Sequence, residues 1–289
     1  MRIAVVGDAM LDLSVNVGDD VHFCPENDQI SIAKGSTLKI FSGGAGNVAT
    51  ILTDNKATVD LYVDGPGPKE NKWVVDLFKI ATKANKIVWS GDAFSIPVKT
   101  RAYNGNMVIS RIDAETTGHS NNTCSCFSNL LTDLYKYDVV VFSDYCKSVF
   151  DGYATTSIRK IIESDIPVVV DSKRHDYTLW DGASVLVPNR HEAELIYGTT
   201  SPTKIMQIAD VMSAVVTNDG RPLVAAWGDG DVEIPFAPVE HAWIVGAGDA
   251  FTAGVAIGVG KTDDMCQAFQ LGIDTAYKYV SKQRKTHVR

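Results

Sequence analysis

The chain has 289 residues, 45% of them hydrophobic and 21% charged, and a formal net charge of -8. This is ordinary globular composition, with length for one large α/β domain or a core with a small appendage. A net acidic chain has no global attraction for nucleic acid or an anionic membrane, so a phosphorylated ligand needs local positive groups.

In chain order, the opening "MRIAVVGDAMLD" supplies a first strand over 3–7, and its apolar run is too short for a signal peptide. Residues 13–40 hold "LSVNV", "ISIA" and "LKIF", separated by turn residues. The glycine-rich "FSGGAGNVAT" follows at 41–50, then a strand, "TVDLYV", at 58–63. "NKWVVDLFKIATKAN" (71–85) reads as a helix with Trp73, Leu77, Ile80 and Ala81 toward a sheet. After a strand at 86–90, residues 98–113 read as a hairpin turning at Asn104-Gly105. Further strands are expected at 138–143, 166–172, 184–189, 213–217, 223–227 and 231–236. A second glycine-rich stretch, "VGAGDAFTAGV" (245–255), leads into a helix, and 263–282 forms the longest helix. The basic end "SKQRKTHVR" reads as a solvated helix terminus.

Several strand candidates are continuous in β-branched residues, which suits strands covered on both faces. Alternation of strands and helices argues a mostly parallel sheet. The segments 13–40 and 98–113 break that rhythm and are expected to pair as a small antiparallel sheet, a lid over a ligand or a plain edge hairpin. No stretch approaches a membrane span. The cysteines, Cys24, Cys124, Cys126, Cys146 and Cys266, are odd in number and scattered, which argues for a reduced, cytoplasmic protein without a disulfide framework. His119, Cys124 and Cys126 lack the paired spacing of a zinc site.

The first glycine stretch is neither of the standard nucleotide loops. "GGAGNVAT" has no lysine after its glycines, and Gly43, Gly44 and Gly46 do not have dinucleotide-loop spacing. Glycines still allow close approach to backbone amides, and Asn47 both donates and accepts, which suits a sugar hydroxyl. A tight turn with Asn47 capping a helix remains open on local grounds. In "VGAGDAF", Gly246, Ala247 and Gly248 precede a helix, so an anion there would meet free amides and the positive helix end. Asp249 beside such a site suits a base that activates a nucleophile, or merely a helix cap.

Together, "GGAGN" and "GAGDAF" resemble the two signatures of the ribokinase-like, or PfkB, carbohydrate kinase family. "GDAMLD" (7–12), "SDYCK" (143–147), "VVVDSK" (168–173) and "VPNRHEAEL" (187–195) fall between or before them in family order. These segments, with "CPE" at 24–26, are also similar to the kinase domain of the bacterial bifunctional heptose 7-phosphate kinases that make ADP-heptose, a lipopolysaccharide precursor. The resemblance spans nearly the whole chain. It implies a single ribokinase-like domain over 1–289, with a lid from about 13–40 and 98–113. The length leaves no room for a nucleotidyltransferase domain.

The activity so implied is ATP-dependent phosphorylation of a small sugar or sugar phosphate, with O1 of D-glycero-D-manno-heptose 7-phosphate as acceptor. Fructose, ribose or unphosphorylated heptose are alternative acceptors, and a non-catalytic sugar- or nucleotide-binding homologue is another reading. By resemblance, Asp249 is the catalytic base, and Gly246, Ala247 and Gly248 stabilise the transferring phosphoryl group. Asp12, Gly43, Gly44 and Asn47 form the sugar site, with Asp144 on its wall. Arg101, Arg111 and Lys173 stand on the phosphate side. Asn189 and Glu192 form an N-x-x-E element, in which Glu192 helps to hold Mg²⁺ through water. Thr217 and Gly220 belong to the nucleotide side. A homodimer through the lid is a further expectation. The family's usual Asp and Thr before GAGD are replaced by Trp243 and Val245, which removes a hydroxyl near the phosphates.

Overall fold

In the computed structural model the chain is described over residues 1–24, 27–64, 72–90, 96–105, 107–115, 126–147, 149–151, 154–218, 220–237, 239 and 244–287. Side chains are described over the same residues except 19–34, 36 and 283–287. The elements run β1 (Arg2–Gly7), β2 (Ala9–Cys24), β3 (Asn27–Gly44), α1 (Ala45–Asp54), β4 (Thr58–Val63), α2 (Lys72–Ala81) and β5 (Lys86–Trp89). Next come β6 (Val98–Asn104), β7 (Met107–Ala114), α3 (Cys126–Asp133), β8 (Val139–Asp144), α4 (Thr155–Ile162), β9 (Val168–Ser172) and β10 (Val185–Leu186). The chain ends with α5 (Arg190–Glu192), α6 (Pro202–Ala209), β11 (Ala214–Val216), β12 (Leu223–Ala226), β13 (Val232–Ile234), α7 (Ala247–Val259) and α8 (Met265–His287).

The β-branched runs form a nine-stranded sheet in the order β13-β12-β11-β10-β9-β8-β1-β4-β5. Its pairs are parallel from β5 to β11, and β12 and β13 add antiparallel at the far edge. Both faces are covered. In β1, Ile3 and Val5 enter one core with α1 and α7, while Ala4 and Val6 enter the other with α3 and α4. The second core is crowded with aromatic rings: Phe127, Phe142, Phe150 and Trp180 meet mostly edge to face, 5.3–6.5 Å between centroids. This is a mostly parallel α/β sheet with helices on both faces, and no helix among the described residues is long and apolar enough to cross a membrane.

Three expectations need correction. The lid is a four-stranded sheet, β3-β2-β6-β7, in which both hairpins are antiparallel but β2 and β6 join in parallel. Residues 13–40 lie in its two long strands β2 and β3, whose register shifts at Asn16/Val17, Val17/Val21 and Phe23/Cys24 mark bulges or irregularities. On α2, Trp73 is 59% and Ile80 78% exposed, while Val74, Val75 and Phe78 are buried. The apolar stripe is wide enough to fit two settings of the helix, and packing against β3 and Trp89 selects the one centred on Phe78. Finally, Cys126 is disulfide-bonded, whereas Cys146 and Cys266 are free. Sequence spacing does not report which thiols a fold brings together. His119, Cys124, Trp243 and the "CPE" residues 25–26 lie outside the described residues.

Candidate active site

Helix α7 starts abruptly because Gly246 takes φ 84°, a left-handed conformation that glycine adopts without strain. A Cβ on Gly246 would also lie 2.6 Å from the Tyr279 hydroxyl and 2.7 Å from Asn47 Nδ2. The first turn of α7 then separates two cavities. One is lined by Gly246, Asp249 and Val245, with Asn47, Asp12, Ser14, Arg101, Tyr103 and Tyr279 around them. The other, about 460 Å³, is lined by Ala247 and Gly248 from the same turn, with Asn189, Thr217 and Gly220. Its remaining wall is mostly apolar, from Leu223, Phe236, Phe251, Ile273 and Val280, a slot suited to an aromatic base. Amides of the first turn have no acceptor within the helix. The Ala247 amide is the exception, for it bonds the Ile244 carbonyl at 3.0 Å, so it is engaged by the turn and not held out for an anion as expected.

Asp249 is only 5% exposed and does not serve as a helix cap. Its Oδ2 accepts from Asn47 Nδ2 at 2.7 Å, and its Oδ1 from the Tyr145 hydroxyl at 2.8 Å. The two glycine-rich stretches, far apart in sequence, are thus hydrogen-bonded through Asn47. Burial pushes the Asp249 carboxyl up, while the bonds from Asn47 and Tyr145 and the charge of Lys173 pull it back toward the ionised form. Asp171 lies close by and accepts from Thr252 Oγ1 at 3.3 Å. Its carboxyl is raised to about 7, chiefly by burial, with Glu192 and Asp249 adding to the rise and Lys173 and the Thr252 bond opposing it. Burial alone would lower Lys173, yet Asp171 and Glu192 outweigh that and hold it charged.

The residues expected around the sugar divide into those that face the first cavity and those that support it. Asp12 faces it and pairs with Arg101 at 2.7 Å. Gly43 and Gly44 lie behind the wall. A Cβ on Gly43 would sit 2.5 Å from Asp12 Oδ2, so this glycine makes room for that carboxylate, and Gly44 turns into α1 with φ 56°. Asp144 has a different role from the expected pocket wall. It is 0% exposed, and its oxygens accept from Ser172 Oγ at 2.8 Å, Arg174 Nε at 2.9 Å and the Cys146 amide at 2.9 Å. A buried carboxylate so fully occupied is a structural brace between β8 and β9. Arg111 forms a two-pronged pair with Asp113 on the lid, half-exposed. It stands directly opposite Arg101 in the β6–β7 register.

Asn189 and Glu192, expected on the nucleotide side, form a reciprocal capping box at the start of α5, with both bonds 2.9 Å long. Glu192 Oε1 also accepts from Lys173 Nζ at 2.8 Å. Lys173 therefore sits between the acids, with its ammonium 4.2 Å from the centroid of the Tyr145 ring. Both Glu192 oxygens have protein donors, and among the described residues no group of three or more His, Cys, Asp or Glu could hold a metal ion. This donor set suits contact to a metal through water, not direct ligation.

Reading by motif missed Tyr145, Asp171, Tyr103 and Tyr279. Tyr145 and Asp171 lie inside the quoted "SDYCK" and "VVVDSK" segments, which was the available signal. Tyr279 lies on α8 and Tyr103 on β6, and only the fold brings them to the cavity.

The sequence profile described as pfkB family carbohydrate kinase matches residues 111–287. Among curated proteins, a bifunctional protein HldE from Trichlorobacter lovleyi is 30% identical over 276 residues, covering 90% of this chain and 55% of that protein. The chain spans roughly half to two thirds of the length of the curated relatives it matches, 54% in one and 62% in another. Among solved structures, the tetrameric inhibited form of phosphofructokinase-2 from Escherichia coli superposes with a TM-score of 0.71 at 14% identity, covering 97% of this chain and 94% of that one. Ribokinase from Thermotoga maritima gives 0.71 at 13% identity, with 97% and 93% covered.

Proposed function

The chain belongs to the pfkB family of carbohydrate kinases, and from that premise we propose that it transfers the γ-phosphoryl group of ATP to O1 of D-glycero-D-manno-heptose 7-phosphate. The observation that carries the reaction is the first turn of α7, which presents Asp249 to one cavity and Gly248 to the other. The sugar lies in the first cavity and the nucleotide in the second. The Asp249 carboxylate takes the proton of the attacking hydroxyl, whose oxygen bonds to the γ-phosphorus as the bond to the β-phosphate oxygen breaks. The proton ends on Asp249, and ADP leaves. The Gly248 amide and the positive end of α7 oppose the charge that develops. Mg²⁺ bound with the nucleotide phosphates would offset their charge, and Glu192 would be the side chain to hold it, through water.

A phosphorylated acceptor is favoured by the lid. Arg101 and Arg111 stand opposite each other on the face that carries Asp12 and Ser14, and Lys99 pairs across from Asp12. Such a cationic face matches a phosphate that bare fructose or ribose lacks. The similarity to bifunctional HldE proteins and the heptose-type segments noted in the sequence support the heptose skeleton. A homodimeric enzyme completes the proposal. All eight residues of β7, the outer strand of the lid, are exposed, including Met107, Val108, Ile109 and Ile112.

The test is ADP release with ATP, Mg²⁺ and a panel of heptose 7-phosphate, unphosphorylated heptose, fructose and ribose. The highest kcat/KM is expected on heptose 7-phosphate. A preference for fructose or ribose would reassign the acceptor, and no turnover on any of them would point to a binding protein that kept the fold.

A further inference from the structure

Tyr145 joins three parts of the molecule that the motifs treat separately. Its hydroxyl donates to Asp249 Oδ1 at 2.8 Å. Its amide donates to Asp8 Oδ2 at 2.7 Å, and the amides of Lys147 and Val149 donate to the same carboxylate at 3.1 and 3.3 Å. Asp8 is 2% exposed at the end of β1, so it staples the 145–149 loop to the sheet. Two ammonium groups lie over the Tyr145 ring: Lys173 from the end of β9 at 4.2 Å and Lys99 from lid strand β6 at 5.9 Å. The ring is thus held by backbone, sheet and lid, and its hydroxyl is aimed at one acceptor.

Burial and the nearby Asp249 and Asp171 raise the phenol well above its ordinary value, so it stays protonated and the hydrogen bond runs from Tyr145 to Asp249. Asn47 donates to the other carboxylate oxygen at 2.7 Å. Two donors approaching from α1 and from the 145–149 loop define the plane of the carboxylate and favour its ionised form. The other groups that act on Asp249 are Lys173, which favours ionisation, and Asp12 on β2 and Asp171 on β9, which oppose it.

We propose that Tyr145 is a positioning residue for the base, its phenol orienting the Asp249 carboxylate and supporting the ionised form. The inference rests on Asp249 being the base. Removing the phenol oxygen leaves Lys173, Asp12 and Asp171 in place but deletes one donor. The carboxyl then holds its proton to higher pH, and less of the enzyme is active on the acid side.

The experiment compares pH profiles of kcat/KM for the wild-type enzyme, Tyr145→Phe, and enzyme carrying 3,5-difluorotyrosine at 145, with Asp249→Asn as control. For Tyr145→Phe, kcat is expected to fall about tenfold, the scale of one hydrogen bond to a charged group. The acceptor KM should change little, and the acid limb should move to higher pH. The fluorinated phenol is a stronger donor and keeps the ring and hydroxyl, so its acid limb should move to lower pH. This second arm stands even where Tyr145→Phe does not fold. An inactive Asp249→Asn enzyme with unmoved limbs in both Tyr145 variants overturns the inference alone. A fully active Asp249→Asn enzyme overturns the base itself.

Discussion

Arg101 and Arg111 face each other across β6 and β7, a placement of like charges that opposes pairing by up to about 1 kcal/mol. Each is answered by a carboxylate, Asp12 for one and Asp113 for the other. An incoming phosphate can replace the Asp113 contact with little loss, because that pair is half-exposed and contributes little on its own. Arg111→Ala is therefore expected to raise KM for heptose 7-phosphate about tenfold, since hydrogen bonds to charged groups contribute roughly 1.5–3 kcal/mol. KM for unphosphorylated heptose should stay where it was, and steady-state kinetics on the two acceptors checks this. Equal losses on both would remove Arg111 from the phosphate side. At this scale, the GAGD turn and Asn47 were legible because their spacing carries chemistry. The bond from Tyr145 to Asp249 spans 104 residues and could not be read from either segment. Asp144 misled for the same reason: its partner Arg174 is 30 residues away, and an acid in "SDY" reads alike whether it faces a sugar or a guanidinium.

Among the elements, the interior strands of the central sheet were readable because most are short β-branched runs with both faces covered, whereas β10 and the edge strand β13 are shorter than the expected 184–189 and 231–236. Helix orientation was harder. On α2, the apolar positions 73–75, 77, 78, 80 and 81 cover more than one face, so periodicity alone could not choose between Trp73 and Phe78 as the inward side chain. The second sheet's parallel β2–β6 seam depends on where Pro97 delivers the chain, with the Leu11 amide bonding the Pro97 carbonyl at 2.9 Å. Its outer strand, β7, offers an edge unpaired among the described residues and exposed apolar side chains, the usual setting for strand pairing between copies. Sedimentation velocity at micromolar concentration should give a dimer, and Ile112→Glu should shift it toward monomer. A wild-type monomer under those conditions contradicts the proposed lid interface.

For the whole molecule, the arrangement is one of two cavities served by one helix start. The parallel strands β1, β8 and β9 bring Asp8, Asp144 and Lys173 to their C-terminal ends, where Tyr145 reaches Asp249 of α7 and Lys173 reaches Glu192 of α5. The lid carries Asp12 and Arg101 down over Asp249. Neither cavity is complete without residues from distant parts of the chain, which is why the family could be read from ordered motifs while the site's supports could not. Burial of Asp249 between two donors leaves it one task for which its place is suited, taking a proton from a group in the acceptor cavity. The most direct measurement is turnover by Asp249→Asn with ATP, Mg²⁺ and heptose 7-phosphate, beside the acceptor KM. A fall in kcat of about 10²–10⁴-fold is expected, the usual contribution of a general base, with KM nearly unchanged. Turnover equal to that of the wild-type enzyme would contradict the account.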